Sequence, residues 1–313
     1  MEGLIGESHP FRQMVQKIQV VAPSDATVLL TGETGTGKEL VAQAIHDRSP
    51  RRSKPFVPVN CGALPSHLLE NELFGHAKGA FTDATAPEKG LVAEAEMGTL
   101  FLDEVDALSA STQVKLLRFL QNHEYRPLGC SRSTISDVRI IAATNADLRQ
   151  QVQASRFRED LYYRLNVLSL NLPSLRERTE DIPLLATHFL RQYESHDGCT
   201  PLRLAADTLP KLMAYSWPGN VRELEAVIQR AAIMSVSPVL QPEDIDLPGS
   251  HQSSTSALDD FHAAKARAIE QFERAYLTHL LAAHEDNITR AAKHAGTTRR
   301  SMQRLMKKYD LQR

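Results

Sequence analysis

Cysteine is scarce in this chain, with three residues in 313, at positions 61, 130 and 199. An odd, widely spaced set of this kind fits neither a disulfide framework nor a zinc-binding spacing. Long apolar runs are also missing, and the first residues lack the basic-then-apolar pattern of a signal peptide. These absences predict a protein of the reducing cytoplasm with no membrane partner.

The chain also lacks an excess of positive or of negative charge, since its net charge is −2 with 24% charged residues. This balance excludes a uniformly basic nucleic-acid binder, although it allows a local basic patch. With 42% hydrophobic residues, the composition excludes wholesale disorder. The length suits about two domains and a small third.

A glycine-rich segment at 32–38 fits the pattern G-x-x-x-x-G-K. Backbone N–H groups of such a loop cradle phosphates, and its lysine reaches the β- and γ-phosphates. A short apolar run at 28–30 precedes it and an amphipathic stretch from Leu40 follows, so phosphates would lie at a helix N-terminus. The candidate nucleotide-binding residues here are Gly32, Glu33, Thr34, Gly35, Thr36, Gly37, Lys38 and Glu39.

An acidic pair follows a second apolar run, where Leu100-Phe101-Leu102 leads into Asp103 and Glu104. Asp103 is placed to hold Mg²⁺, and Glu104 could polarise the water that attacks ATP. The alternative is a fortuitous turn combined with an acidic strand end. Glu39 occupies the position where the generic pattern has a Ser or Thr ligand to Mg²⁺, which shifts the metal onto Asp103, phosphate oxygens and water.

The first part of the chain alternates strand-like and helix-like segments, which predicts an α/β domain on a parallel sheet. Pro58 cannot donate to a ladder, so its strand is expected at a sheet edge. Strands are expected to stop after about 173, where helices begin, and a serine-rich stretch suggests a linker. The predicted strands are 28–30, 56–59, 100–102, 138–142 and 167–170. The predicted domains are 1–172, 173–248 and 259–313, with a linker at 249–258.

The C-terminal segment has its own charge balance, with eight Lys or Arg against three acids from Glu285 onward, a net of +5. Two short amphipathic helices joined by a glycine-containing turn predict a helix-turn-helix that reads the major groove. A solvated basic helical hairpin is the alternative. The candidate DNA-binding residues are Arg299, Arg300, Gln303, Arg304 and Lys307, opposite an apolar stripe of Met302, Leu305, Met306 and Tyr309.

Taken with the motifs above, the chain resembles the bacterial enhancer-binding proteins, the NtrC-type AAA+ activators of sigma-54 RNA polymerase, from Leu4 to Leu311. The resemblance implies an AAA+ P-loop NTPase domain, a helical lid and a Fis-type helix-turn-helix. It further implies a hexameric ATPase that binds enhancer DNA and converts the closed sigma-54 polymerase complex into the open one. Fis-type units bind as dimers. The helix that precedes the helix-turn-helix has an apolar stripe that could serve the dimer or pack on its own domain, formed by Ile269, Phe272, Tyr276 and Leu280.

One segment resembles the loop that this family uses to contact sigma-54, usually G-A-F-T-G-A. Here it comprises Gly79, Ala80, Phe81, Thr82, Asp83 and Ala84. An exposed Phe81 would be costly without a partner, although a phenylalanine packed in its own domain is the alternative. The sequence departs from the family pattern at Asp83, which adds a charge and removes backbone freedom.

The resemblance also assigns roles to single residues. Asn60 would restrain Glu104 until ATP is positioned, and Asn145, after Thr144, would sense the γ-phosphate. Arg222 would report the nucleotide state to the lid. Arg158 and Arg164 would reach into the neighbouring subunit's site. Without the resemblance, both would be interpreted as ordinary surface charges. Trp217 reads as a core anchor.

Two other functions stay open on the sequence. One is a DNA-binding regulator of the tyrosine-repressor type that acts without sigma-54, which Asp83 favours. The other is an AAA+ machine for a different task, such as helicase loading or chelatase assembly. Many family members carry an N-terminal receiver or sensor domain that this sequence lacks, so we expect either a separate regulatory partner or a shortened form of a longer protein.

Overall fold

The structure, a computed structural model, describes residues 3–80, 85–197, 202–235 and 237–247. In the C-terminal part it describes residues 284, 288, 290, 294, 295, 297, 304 and 306. The chain divides into two compact units, Met1–Asp246 and Leu247–Arg313. None of the described helices is long and apolar enough to cross a membrane.

The first unit combines a central sheet with helices on both faces and a helical region after it. Its helices are α1 His9–Val21, α2 Lys38–Asp47, α3 Ser66–Phe74, α4 Leu91–Glu94, α5 Ala110–Asn122, α6 Leu148–Gln153, α7 Glu159–Leu165, α8 Ile182–Asp197, α9 Thr208–Ala214 and α10 Asn220–Met234. Its strands are β1 Val28–Thr31, β2 Phe56–Asn60, β3 Gly75–His76, β4 Glu88–Lys89, β5 Thr99–Asp103, β6 Glu124–Tyr125, β7 Thr134–Ile135, β8 Arg139–Thr144, β9 Leu168–Asn171, β10 Arg203–Leu204 and β11 Val239–Leu240.

The central sheet is parallel, with the strand order β2-β5-β8-β1-β9. Each of its strands overlaps one that the sequence predicted. Strand β2 lies at the edge, which confirms the expectation from Pro58, because an edge strand can accommodate a residue without a backbone N–H.

Both faces of the sheet are buried, which explains why its strands read as continuous apolar runs. On one face, Leu30, Phe101 and Ile141 pack with apolar residues of α1 and α2. On the other face, Leu100 and Leu102 pack with α3, α5 and α7. Neighbouring residues of one strand therefore belong to different cores.

Short strand pairs outside the central sheet were missed by the sequence analysis. Strands β3 and β4 pair antiparallel, as do β6 and β7. The expectation that strands stop after residue 173 was wrong, since β10 and β11 pair in parallel within the lid. Two-residue strands are too short to show a period of two, so the pairing is decided by tertiary packing.

Helices α8, α9 and α10 form the lid. Trp217 is fully buried, donates from Nε1 to the carbonyl oxygen of Leu212 at 2.8 Å, and meets the Tyr215 ring edge-on. Its role as a core anchor is confirmed. In the C-terminal unit, Met306 is buried and Arg304 is exposed on a helical segment, as the sequence predicted for these two positions.

The carboxyl ends of the parallel strands meet at one edge of the sheet. There Thr31 is in register with Thr144, and Asn60 with Asp103. Ligands of open α/β sheets bind outside this edge. The sheet thus brings together segments that lie far apart in the sequence.

Candidate nucleotide-binding site

The glycine-rich loop connects β1 to α2. Gly37, directly before α2, has φ 95°, a left-handed conformation that favours glycine. The Lys38 side chain lies under the loop, 9% exposed, and its Nζ donates to the carbonyl oxygens of Gly32 (2.9 Å) and Glu33 (3.1 Å). Burial lowers the pKa of Lys38, while the carboxylates of Asp103 and Glu104 oppose that change. The loop therefore holds a cation at the start of a helix, where phosphates bind.

The acidic pair lies at the end of β5. Glu104 has φ 55°, and its N–H donates to Asp103 Oδ1 at 2.9 Å. The Glu104 carboxylate lies against Gly62, because a Cβ there would lie 2.3 Å from Glu104 Oε2. Asn60 Oδ1 accepts from the N–H of Gly62 at 2.8 Å. The catalytic candidate Glu104 therefore lies against the turn that begins at Asn60; the restraint of Glu104 by Asn60 itself stays a prediction.

Strand β8 supplies a polar pair to the same edge. Asn145 Nδ2 donates to Thr34 Oγ1 of the glycine-rich loop at 2.9 Å. Thr144 Oγ1 donates to Asp106 Oδ1, two residues beyond Glu104, at 2.5 Å. These two contacts connect β8 to the glycine-rich loop and to the segment after the acidic pair.

The lid contacts the glycine-rich loop directly. The carbonyl oxygen of Gly35 accepts from the N–H of Val221 at 3.0 Å. Asn220, fully buried and at φ 52°, donates from Nδ2 to the carbonyl oxygen of Thr34 (3.0 Å) and to Glu33 Oε2 (3.1 Å). The first turn of α10 is thereby fixed to the loop.

A further group, which the sequence analysis missed, joins this contact. Arg176, in the turn before α8, donates from both Nη atoms to the Glu33 carboxylate. Asn220 Oδ1 accepts from the N–H of Leu175 at 2.8 Å. The Arg176 and Asn220 hydrogen bonds lower the pKa of Glu33. We name Glu33, Arg176 and Asn220 the lid latch; no sequence pattern links residues so far apart.

The candidate residues from these segments surround a cleft of about 220 Å³. Its lining comprises Thr34, Gly35, Gly37, Lys38, Glu39, Leu40, Asp103, Glu104, Asn145, Val221, Arg222 and Glu225. The predicted binding residues Gly32, Glu33 and Thr36 are not part of that lining. Thr36 Oγ1 instead donates to the carbonyl oxygen of Glu33, and the Glu33 carboxylate accepts from Arg176 within the lid latch.

The acidic pair suits a hard cation, since carboxylate oxygens are ligands that Mg²⁺ accepts. The described residues contain no cluster of three or more His, Cys, Asp or Glu side chains that could hold a metal. Mg²⁺ commonly uses one or two carboxylates together with phosphate oxygens and water. The donor set at Asp103 therefore fits this ion when phosphate oxygens and water supply the other ligands.

The two arginines expected to reach into the neighbouring subunit's site lie outside this cleft. Arg158, directly before α7, is exposed and pairs with Asp160 through Nε (3.0 Å) and Nη2 (2.7 Å). Arg164 is exposed on α7. Neither residue lines the nucleotide cleft of its own chain.

The segment proposed to contact sigma-54 lies in the sequence between β3 and β4. Gly79 has φ 81°, and a Cβ there would meet no atom within 4 Å. The N–H of Ala80 donates to the carbonyl oxygen of Ala77 at 3.1 Å. The remaining predicted contacts, Phe81, Thr82, Asp83 and Ala84, lie outside the described residues, as do Arg299, Arg300, Gln303 and Lys307 of the DNA-binding set.

The fold and the cleft define an AAA+ nucleotide-binding unit with a lid. Comparison with protein families matches the Sigma-54 interaction domain at residues 4–171, the AAA+ ATPase lid domain at 176–263, and the Bacterial regulatory protein, Fis family, at 268–309. The chain belongs to the NtrC-type family of sigma-54-dependent transcriptional activators. Its AAA+ domain implies an ATP-binding ATPase.

Relatives and solved structures agree with this membership. Transcriptional regulatory protein GlrR of Escherichia coli is 47% identical over 310 residues, 99% of this chain and 68% of GlrR. Response regulator protein PilR of Pseudomonas aeruginosa is 46% identical over 308 residues, covering 97% of this chain and 69% of PilR. The structure of NtrX from Brucella abortus in complex with ATP is 33% identical, with a TM-score of 0.74, and the match covers 99% of this chain and 69% of that one.

Proposed function

We propose that this protein is an ATP-dependent transcriptional activator that binds enhancer DNA and remodels the closed sigma-54 polymerase complex into the open complex. The observation that carries the proposal is the cleft in which Lys38, Asp103 and Glu104 meet Asn145 and the lid residue Arg222. That arrangement suits phosphoryl transfer, in which catalysis consists mainly of positioning and of charge stabilisation. The membership of the chain in the family of sigma-54-dependent activators supports the closed sigma-54 polymerase complex as the target of remodelling.

Each side chain of the site has a distinct role in ATP hydrolysis. Lys38 binds the β- and γ-phosphates, and Glu104 orients and polarises the attacking water. Asn60 restrains Glu104 through the turn against which its carboxylate lies. Asp103 would hold Mg²⁺ with phosphate oxygens and water, and the ion would neutralise charge on the phosphates.

Completion of the site needs a second copy of the chain. Arg158 and Arg164 lie on the surface of their own subunit, away from its cleft, which supports a role in a neighbouring site. An arginine finger stabilises charge on the transferring phosphoryl group and is worth about 10³–10⁵ in rate. We therefore propose a ring, hexameric as in the family, with the sites between subunits.

The two partners bind to different parts of the chain. The segment from Gly79 to Ala84 contacts sigma-54, and ATP hydrolysis moves it. The C-terminal basic residues, including the exposed Arg304, bind enhancer DNA, with a salt dependence due to counterion release. Base contacts are assigned to Arg300, Gln303 and Arg304.

Open-complex formation tests the proposal. Sigma-54 holoenzyme on its promoter is incubated with excess protein, with and without hydrolysable ATP and Mg²⁺, and promoter melting is followed. The expected result is melting that depends on ATP hydrolysis. ATP hydrolysis without melting, in the presence of a working control activator, would contradict the coupling to sigma-54.

A second function, regulation of the tyrosine-repressor type without sigma-54, is favoured by Asp83 alone. The variant Asp83→Gly, which restores the family pattern, separates the two. Melting by the wild-type protein excludes the second function. Hydrolysis without melting by both proteins supports it, whereas melting by Asp83→Gly alone identifies Asp83 as the residue that blocks coupling.

A further inference from the structure

Gln113, on α5, is a buried polar side chain that neither the cleft nor the family motifs account for. The residue is 1% exposed. Both the nitrogen and the oxygen of its side-chain amide form hydrogen bonds. Nε2 donates to the carbonyl oxygens of Leu108 (2.9 Å) and Arg156 (3.1 Å), and Oε1 accepts from the N–H of Arg158 (2.9 Å). Both donor hydrogens and the acceptor therefore have partners, which fixes the orientation of the amide.

Leu108, whose carbonyl oxygen accepts from Gln113, lies at the end of the segment that follows Asp103 and Glu104. Residues Val105–Ala107 form a 3-10 turn, in which the N–H of Ala107 donates to the carbonyl oxygen of Glu104 at 2.9 Å. Val105 and Leu108 are buried, and Asp106 accepts from Thr144. A packed, hydrogen-bonded turn thus connects Glu104 to Leu108.

The other partners flank Phe157, which is buried, in the segment that carries the proposed finger. The backbone of Arg158 is held at both ends, since its N–H donates to Gln113 and its carbonyl oxygen accepts from Tyr162 in α7 at 3.0 Å. Its guanidinium, in contrast, is exposed and pairs with Asp160, two residues further along the chain. The backbone is fixed, while the side chain can exchange Asp160 for another anion.

We propose that Gln113 is a positioning residue that couples one subunit's own site to the finger it presents to the next subunit. Through Leu108 the amide senses the segment after Glu104, and through Arg156 and Arg158 it sets the backbone from which the finger extends. The inference rests on the proposed ring with Arg158 acting in the neighbouring site. It predicts that Gln113 serves the neighbour's hydrolysis and not that of its own cleft.

The test begins with Gln113→Met, which keeps the side-chain volume and removes all three hydrogen bonds. ATP affinity should be unchanged, while kcat should fall about 10–100-fold, as expected for a misplaced catalytic group. Gln121→Met, the same change at an exposed position on the same helix, is the matched control and should keep wild-type kcat. Gln113→Leu, which also removes all three hydrogen bonds without burying a charge, replaces Gln113→Met if that variant fails to fold.

Mixed rings then decide in which site Gln113 acts. Gln113→Met is mixed at equal amounts with Glu104→Gln, which has an inactive site but intact fingers. If Gln113 positions the finger, ATPase activity rises above the sum of the two proteins alone, toward about a quarter of wild type, because that fraction of head-to-tail interfaces pairs an intact site with an intact finger. Absence of any rise would overturn the proposal, since it would place the defect in the variant's own cleft.

Two control mixtures separate this inference from the function on which it rests. Arg158→Ala mixed with Glu104→Gln should recover in the same way, and failure there would overturn the finger in the neighbouring site and with it the role of Gln113. Lys38→Ala mixed with Glu104→Gln should not recover, because both variants lack a working site. Recovery with Arg158→Ala but not with Gln113→Met refutes the role of Gln113 alone.

Discussion

The carbonyl oxygen of Gly219 lies 2.2 Å from the position that a Cβ on Gly35 would occupy. Gly35 belongs to the glycine-rich loop and Gly219 precedes the first turn of the lid helix α10. Two backbones approach so closely only where one residue has no side chain. The contact is reinforced by the hydrogen bond from the Val221 N–H to the Gly35 carbonyl oxygen, so the loop and the lid are in direct backbone contact.

Gly35→Ala should therefore separate the lid from the loop. The left-handed backbone of Gly35 (φ 77°) adds strain to the clash. Together they should weaken ATP binding about tenfold or more, since such strain costs about 1–3 kcal/mol. Nucleotide titration measures this. Gly79→Ala is the control, because Gly79 has a similar φ of 81° but a Cβ there would meet no atom within 4 Å. An equal loss of ATP affinity in Gly79→Ala would show that backbone strain alone is responsible.

Glu104→Gln should stop turnover and spare ATP binding. The amide keeps the shape of the side chain beside Gly62 but cannot accept the proton of the attacking water, which costs about 10²–10⁴ in rate. Steady-state hydrolysis and equilibrium ATP binding are measured on the same preparation. Glu225→Gln, on the lid side of the same cleft, serves as the control and should hydrolyse ATP. Normal turnover in Glu104→Gln would remove Glu104 from the role of base.

The lid latch should respond to acid. The hydrogen bonds from Arg176 and Asn220 hold the pKa of Glu33 below its ordinary value. Its contribution to stability is therefore complete above that ordinary value and is lost as the pH falls through the lower folded-state pKa. The difference in Tm between the wild type and Glu33→Gln should shrink as the pH falls below about 4.5. A difference that stays constant into that range would contradict the latch.

Arg139 should be important for stability, although it is far from the cleft. It is 2% exposed and donates to the carbonyl oxygens of Ala22 (2.8 Å) and Val21 (3.0 Å) at the end of α1. Arg139→Met leaves those carbonyls without their donor and should lower the free energy of unfolding by about 1–3 kcal/mol. Chemical unfolding measures this. Arg12→Met, at an exposed position on α1, should have little effect.

Local patterns in the sequence predicted the strands of the central sheet, the glycine-rich loop and the acidic pair. Each of these features is encoded by neighbouring residues, so it can be read without knowledge of the rest of the chain. The pairing of Asn60 with Glu104 came from the family resemblance and stays a prediction, whereas the register of β2 against β5 places Asn60 opposite Asp103.

The contacts between distant segments were decided only in three dimensions. Glu33 and Arg176 are 143 residues apart, and Gln113 and Arg158 are 45 apart. Neither pair has a periodicity or spacing that a sequence could display, since a hydrogen bond between segments depends on how their elements pack. The sequence alone thus determined which chemistry the chain carries, and the tertiary structure determined which residues hold the loop, the lid and the finger segment in place.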